Sequence, residues 1–269
     1  MNTSMSINNG TESGYNYFGA RYYTDNIMMW LSVDPMSDMR PGVSPYSYCQ
    51  NNPIGRIDPS GALDGDYYTW NGKYLGSDGN DDGKVYFVSD KSSIKNIKHN
   101  ATTQISDVKV DFSTTKSILE EVSSVDERTV RNGNVREEAT FINTIGEPYK
   151  GQGNDIRELK WEETPSVNVE YSGELDVTIH SHLSYIRTNP NGNGEIKYSD
   201  ALVPSGADKL NKANLNIITG PLGEPSWHPI GTGDSGYWQS AKPGTAFYNT
   251  KWEPIGQISR KNLNNILSH

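Results

Sequence analysis

The chain has 269 residues, room for one full domain plus a smaller piece at about 100 to 200 residues per domain. Hydrophobic residues make up 33%, with 16 Tyr against 5 Phe, so much of the aromatic area carries a polar handle and suits half-wet sheets better than a large dry core. A net charge of −9 and a pI near 5.1 argue against a grip on a phosphate backbone, and a lone cysteine, Cys49, excludes an internal disulfide or a cysteine-rich zinc site. No apolar run approaches the roughly 18 residues of a membrane helix. The first 20 residues lack both a basic and an apolar signal region, so the expectation is a soluble fragment with no signal peptide, no membrane partner and no nucleic-acid partner.

Residues 14 to 61 are dense in Tyr, Pro, Asn and Gly and have no helical period. They carry, in order, Gly19-Ala20-Arg21-Tyr22-Tyr23, Leu31-Ser32-Val33-Asp34-Pro35, Pro45-Tyr46-Ser47-Tyr48 running to Asn51-Asn52-Pro53, and Asp58-Pro59-Ser60-Gly61. This series closely resembles the RHS repeat-associated core, the last segment of large shells that enclose a variable carboxy-terminal toxin. The resemblance implies that residues 1–62 are a piece of a parent RHS shell. It also implies that acidic residues near the shell's end perform self-cleavage, here Asp34 and Asp58. Read from the residues alone, both Asp-Pro pairs are turn initiators.

Residues 63–112 read as a linker with short β-hairpins. Gly65 to Trp70 and Lys73 to Gly76 flank Asn71-Gly72, a strong two-residue turn signal. From Asp78 the sequence copies the first half of a calcium loop, but Ser89 stands where the bidentate Glu belongs, so a polar turn before a strand at Lys84 to Val88 is the stronger reading.

Residues 113–269 show clearer periodicity. Thr114 to Ser124 reads as an amphipathic helix capped by Thr114 or Thr115, and strands are expected at Glu138 to Gly146, Val167 to Tyr171, Glu174 to His182, Leu215 to Gly220 and Thr245 to Asn249. Ser259 caps a closing helix to Leu267. Helices and strands mix, giving an α+β fold with a mixed sheet flanked by helices.

His180-Ser181-His182 is the informative feature. Residues two apart on a strand face one side, so both imidazoles can converge on one point, as a metal requires. Pro204-Ser205-Gly206-Ala207-Asp208 then opens a helix expected to run past Leu210 to Lys212. Ser205 and Asp208 make a capping pair, which leaves Asp208 able to serve as a third ligand. Two His, one carboxylate and an open position are the pattern of a catalytic zinc. Glu138 is favoured as general base over its neighbour Glu137, since only one of the two can face the side that carries the histidines. Asp176 is the substitute ligand on the same strand face, and His228 a weaker possibility. His99 and His269 receive no role.

An acid at a strand start, then H-S-H, then P-S-x-x-D resembles the JAB/JAMM (MPN) metalloprotease family, and more narrowly the JAB-like toxin domains that follow RHS cores. The resemblance implies that His180, His182 and Asp208 hold zinc, that Glu138 is the base and that Ser205 stabilises the oxyanion. Leu183 stands where that family has Pro, and the stretch from Leu183 to Val203 lengthens the usual spacing from His to Asp; it reads as a loop that lids the site or sets its substrate. The class implies a protein or peptide substrate, a cognate immunity protein as partner and delivery from a bacterium as a secreted effector. The rival readings are a JAB-fold binding module without catalysis and a metal-dependent nuclease, the latter disfavoured by the acidic charge.

Overall fold

The structure, a computed structural model, describes residues 15–17, 21–24, 26–33, 44–48, 66–78, 83–99, 105–192, 195–231 and 235–268. The chain forms two compact units, one of residues 1–69 and 74–115 and the other of residues 70–73 and 116–269.

In the first unit, β1 (Tyr15–Tyr17), β2 (Tyr22–Thr24) and β3 (Met29–Trp30) make a small antiparallel sheet. Three of the motif segments meet there. Trp30 is buried, its ring lies 5.6 Å from that of Tyr23 and 5.5 Å from that of Tyr48, and the Arg21 guanidinium sits 4.4 Å over its face. The cation–π contact offsets part of the cost of burying Arg21. Asp34 and Asp58 lie outside the described residues, as do Cys49, His269 and the middle of the calcium-like loop.

The stretch expected to be a linker with short β-hairpins holds that hairpin, Asp66–Tyr68 with Tyr74–Ser77, within a larger sheet. β4 (Asp66–Tyr68), β5 (Tyr74–Ser77), β6 (Lys84–Phe87) and β7 (Phe112–Thr115) form a sheet in the order β5-β4-β6-β7, with β4 and β6 parallel. Helix α1 (Lys91–His99) is capped by Asp90, whose carboxylate accepts from the Ser93 N–H at 2.8 Å, and it packs on β5. Tyr67, Leu75, Tyr86, Val88, Ile97 and Val108 form a core of their own. The boundary therefore falls after Thr115, because β7 belongs to this sheet, and Thr114 is a buried strand residue instead of a helix cap.

In the second unit, α2 (Lys116–Arg131) runs a further two turns beyond the expected helix, because Val125, Asp126 and Thr129 continue the buried stripe of Leu119 and Val122. Asn134 at φ 57 and Gly133 at φ 83 end it in the left-handed region. A six-stranded sheet follows, built from β8 (Glu138–Asn143), β9 (Pro148–Gln152), β10 (Leu175–Ser181), β13 (Leu215–Pro221), β16 (Pro243–Asn249) and β17 (Pro254–Ser259), in the order β17-β16-β13-β10-β8-β9. β10 and β13 are parallel and the other pairs antiparallel, so the sheet is mixed and the protein is α+β. Two-stranded ribbons are inserted at β11 (Arg187–Thr188) with β12 (Ile196–Lys197), and at β14 (Ser226–Pro229) with β15 (Gly236–Gln239).

Helix α3 (Arg260–Leu267) is capped by Ser259, as its sequence predicts, and packs on α2 and on β16 and β17. Because α2 also packs on β8, β10 and β13, both helices cover one face of the sheet. Long connections cover the other face. The expected strand at Val167 to Tyr171 is one of them: it alternates, but it crosses over β9 and pairs with no strand. Glycine makes room for it, since a Cβ on Gly151 would come within 2.8 Å of the Asn168 carbonyl oxygen and one on Gly153 within 2.5 Å of the Ser166 oxygen.

Candidate metal centre

β10 explains the two histidines. His180 pairs with Ala139 of β8 and Ile218 of β13, and the strand is buried at every position except Asp176. His180 and His182 point to the helix-free face, while Ser181 between them points to α2, where its Oγ accepts from the Glu138 N–H at 2.9 Å and lies 2.7 Å from Thr129 Oγ1. The middle residue thus anchors the strand that carries the pair. The chain passes close by β13 at this level: the His182 N–H donates to the Thr219 oxygen at 2.7 Å, and Gly220 has φ 153, with room for no Cβ because one would lie 2.4 Å from the His182 oxygen.

Asp208 completes the group. The helix expected from Ser205 is only a 3-10 turn, Asp208–Leu210, with Leu210 exposed, but the capping pair is present. The Ser205 N–H donates to Asp208 Oδ2 at 2.6 Å and the Asp208 N–H donates to Ser205 Oγ at 3.1 Å. Asp208 Oδ1 lies 3.2 Å from His180 Nε2, and Oδ2 lies 3.4 Å from His182 Nε2. All three ligand atoms lie within 4.8 Å of one another. A tetrahedral ion with bonds near 2.1 Å needs donors about 3.4 Å apart, so the spacing fits.

Two further observations favour a cation. His180 Nε2 is buried and has no hydrogen-bond partner among the described residues, with Asp208 Oδ1 3.2 Å away. His182 Nδ1 lies 2.7 Å from the Asp200 carbonyl oxygen, which can only accept, so Nδ1 carries a proton and Nε2 is the nitrogen turned to the cluster. Asp200 is held in turn: its carboxylate accepts from the Leu202 and Gly223 N–H groups at 2.8 and 2.9 Å, and Tyr248 donates to the neighbouring Ala201 oxygen at 2.7 Å. Burial, with Asp200 and Asp208 nearby, pushes the Tyr248 phenol up to about 12, so it remains a neutral donor. The end of the long stretch after His182 is therefore part of the site. Sequence reasoning missed Asp200 and Tyr248 because one acts through a backbone oxygen and the other through the loop it ties down.

The two glutamates part here. Glu138, the favoured base, is turned to the helix face, where it accepts from Arg128 at 3.2 Å, Asn132 at 2.9 Å and Gln152 at 2.7 Å. The structure instead brings Glu137 to the histidines. His180 is paired with Ala139, so the residue two before Ala139 shares its face, and Glu137 lines the same cleft. Burial raises its pKa, against the pull of His182 and His180. Burial also disfavours the charged form of His182, but Asp208 and Glu137 outweigh it and the pKa is raised. Burial likewise works to raise Asp208, and the two imidazoles outweigh it, holding the carboxyl well below the usual range.

The cleft has a volume of about 770 Å³, and among the described residues that line it there is no Lys or Arg. Asp176 is not in it; its Oδ1 accepts from Asn214 at 2.8 Å. His228 lies on the β14–β15 ribbon, 2.9 Å from Ser226 Oγ and stacked on Tyr237. His99 ends α1 in the other unit.

Fold and site together define an α+β protein with a buried group, His180, His182 and Asp208, able to hold a metal ion. Compared with protein-family models, with curated proteins and with solved structures, the chain matches none. Among the described residues no helix is long and apolar enough to cross a membrane.

Proposed function

We propose that the second unit is a zinc-dependent hydrolase of peptide or isopeptide bonds, with His180, His182 and Asp208 as ligands and Glu137 as general base. One observation carries this reading: a buried His, His, Asp group shares a cleft with a buried glutamate that is not one of the three. Zinc, when bound, supplies a Lewis acid that polarises a carbonyl and makes water a competent nucleophile near neutral pH. Glu137 takes the proton of the attacking water and returns it to the leaving nitrogen; the burial that raises its pKa favours holding that proton between the two steps. Ser205 Oγ already accepts from the Asp208 N–H, so its own proton is free for the developing oxyanion. The absence of cations from the cleft lining favours a peptide over a polyanion, and so a peptidase over a nuclease.

The RHS-like and JAB-like motifs support the wider reading of an effector domain behind a shell remnant, delivered by a bacterium and neutralised by an immunity protein. Metal analysis of the purified protein beside His180→Ala/His182→Ala is the test. About one zinc per chain is expected in the wild type and none in the variant; equal contents would sink the assignment. Histidine-dependent cutting of plasmid DNA or RNA with Mg²⁺ or Zn²⁺ would turn the reading to a nuclease.

A further inference from the structure

One wall of the cleft is apolar, and it begins a short distance from the metal ligands. Along the site face of β8, Glu137, Ala139 and Phe141 follow at steps of two residues, with Ala139 level with His180 and Phe141 level with Thr178. Two residues of strand span about 7 Å, so the Phe141 ring stands one side-chain reach from the cluster. Val167 and Val169, on the connection that crosses β9, pack against the cluster of Ala139, Phe141, Leu175 and Ala213, and the Tyr171 ring lies 5.9 Å from that of Phe141. Tyr171 is 47% exposed and Val203 and Leu210 are 65% and 79% exposed, and all three line the cleft. Single exposed apolar residues are ordinary, but several gathered around one concave site mark an apolar ligand. Among the described residues the carboxylates on the lining are Glu137, Asp200 and Asp208, with no Lys or Arg to balance them, so an acidic side chain is repelled.

We propose that the cleft accepts an extended peptide with a bulky apolar side chain next to the bond to be cut, seated against Phe141, Val167, Val169 and Tyr171. The position of the cut bond rests on the hydrolase reading; the side-chain preference rests on the wall alone.

The test uses the full chain and capped hexapeptides of Gly and Ser that carry Leu, Phe, Asp or Lys at one central position. Binding is measured by titration calorimetry with EDTA present, and cleavage separately with zinc. Leu and Phe peptides should bind at least ten-fold tighter than the Asp peptide and tighter than the Lys peptide. Val169→Asp should erase the preference; should it misfold, Tyr171→Ser at the exposed rim should weaken Leu and Phe binding several-fold while the Asp peptide is unaffected. Equal binding of all four peptides, no binding, or tightest binding of the Asp peptide overturns the assignment. If the apolar peptides bind selectively but zinc yields no cleavage, the wall is assigned correctly and the peptidase reading fails. Cleavage without side-chain preference leaves the peptidase reading standing and overturns the assignment of the wall.

Discussion

The two faces of β8 and β10 hold similar residues in opposite conditions. On the helix face, Glu138 has three side-chain donors, Thr140 donates to Glu121 at 2.6 Å and accepts from Arg128 at 2.7 Å, and Ser181 joins β8 to α2. On the open face, Glu137 is buried near two histidines and a carboxylate, and His180 Nε2 has no hydrogen-bond partner. A carboxylate met by three donors fixes a fold, whereas a buried glutamate beside a histidine nitrogen left without a partner is arranged for something that arrives from outside. Adjacent glutamates therefore serve different purposes, and substitution can separate them.

The largest effect is expected from the paired variants Glu137→Gln and Glu138→Gln. Glu137→Gln should lower hydrolysis by about 100-fold or more, the usual scale for a lost general base, with zinc content unchanged. Glu138→Gln removes the charge that faces Arg128, so it should cost about 1–3 kcal/mol in denaturant unfolding while turnover by the folded protein stays near wild type. The comparison breaks if the two phenotypes are exchanged.

A smaller effect is expected at Gly220. Its φ is 153, and a methyl group there would lie 2.4 Å from the His182 oxygen, so Gly220→Ala must push the two strands apart at the level of the ligand. Zinc affinity should fall about 10- to 100-fold, as when the support of a ligand is lost. The unfolding free energy should fall by about 1–3 kcal/mol. Competition with a chelating dye reads the first and urea unfolding the second; an unchanged zinc affinity would show that His182 is positioned by Asp200 alone.

The legible parts of the site were those with a short-range signature. Period two on an apolar strand exposed the His180 and His182 pair, and the spacing from Ser205 to Asp208 exposed the third member of the group through its capping bonds. Choosing between Glu137 and Glu138 needed the register that sets Ala139 opposite His180, a pairing of segments about 40 residues apart that no local pattern encodes. The strands β4, β5 and β6 of residues 66–115 were legible from the Asn71-Gly72 turn and the run after Gly83, but the sheet they build was hidden for the same reason. Its centre is a parallel pairing of β4 with β6 across a hairpin, and each strand alone is too short and too rich in Tyr to announce a core. Val167 to Tyr171 misled in the opposite direction, since its alternation comes from valines packed on the sheet face and not from a ladder.

The smallest effect should be an acid one, away from the His180, His182 and Asp208 group. Asp155 follows β9; its carboxylate accepts from the Arg157 backbone N–H and Nε, both at 2.9 Å, with Arg136 3.8 Å away. The Arg157 side-chain bond is the main cause that holds its pKa at about 2, below the ordinary 3.8. A folded-state pKa below the unfolded one means that the unfolded chain binds the proton first. The contribution to stability is therefore whole above about pH 4 and is lost as the pH falls from there through about 2. Arg157 is largely exposed, so salt should weaken the contribution. Unfolding followed across pH 2 to 5 in low salt should show wild type and Asp155→Asn converging toward the acid end. Parallel curves across that window would mean that the carboxylate adds nothing to the folded state beyond its neutral hydrogen bonds.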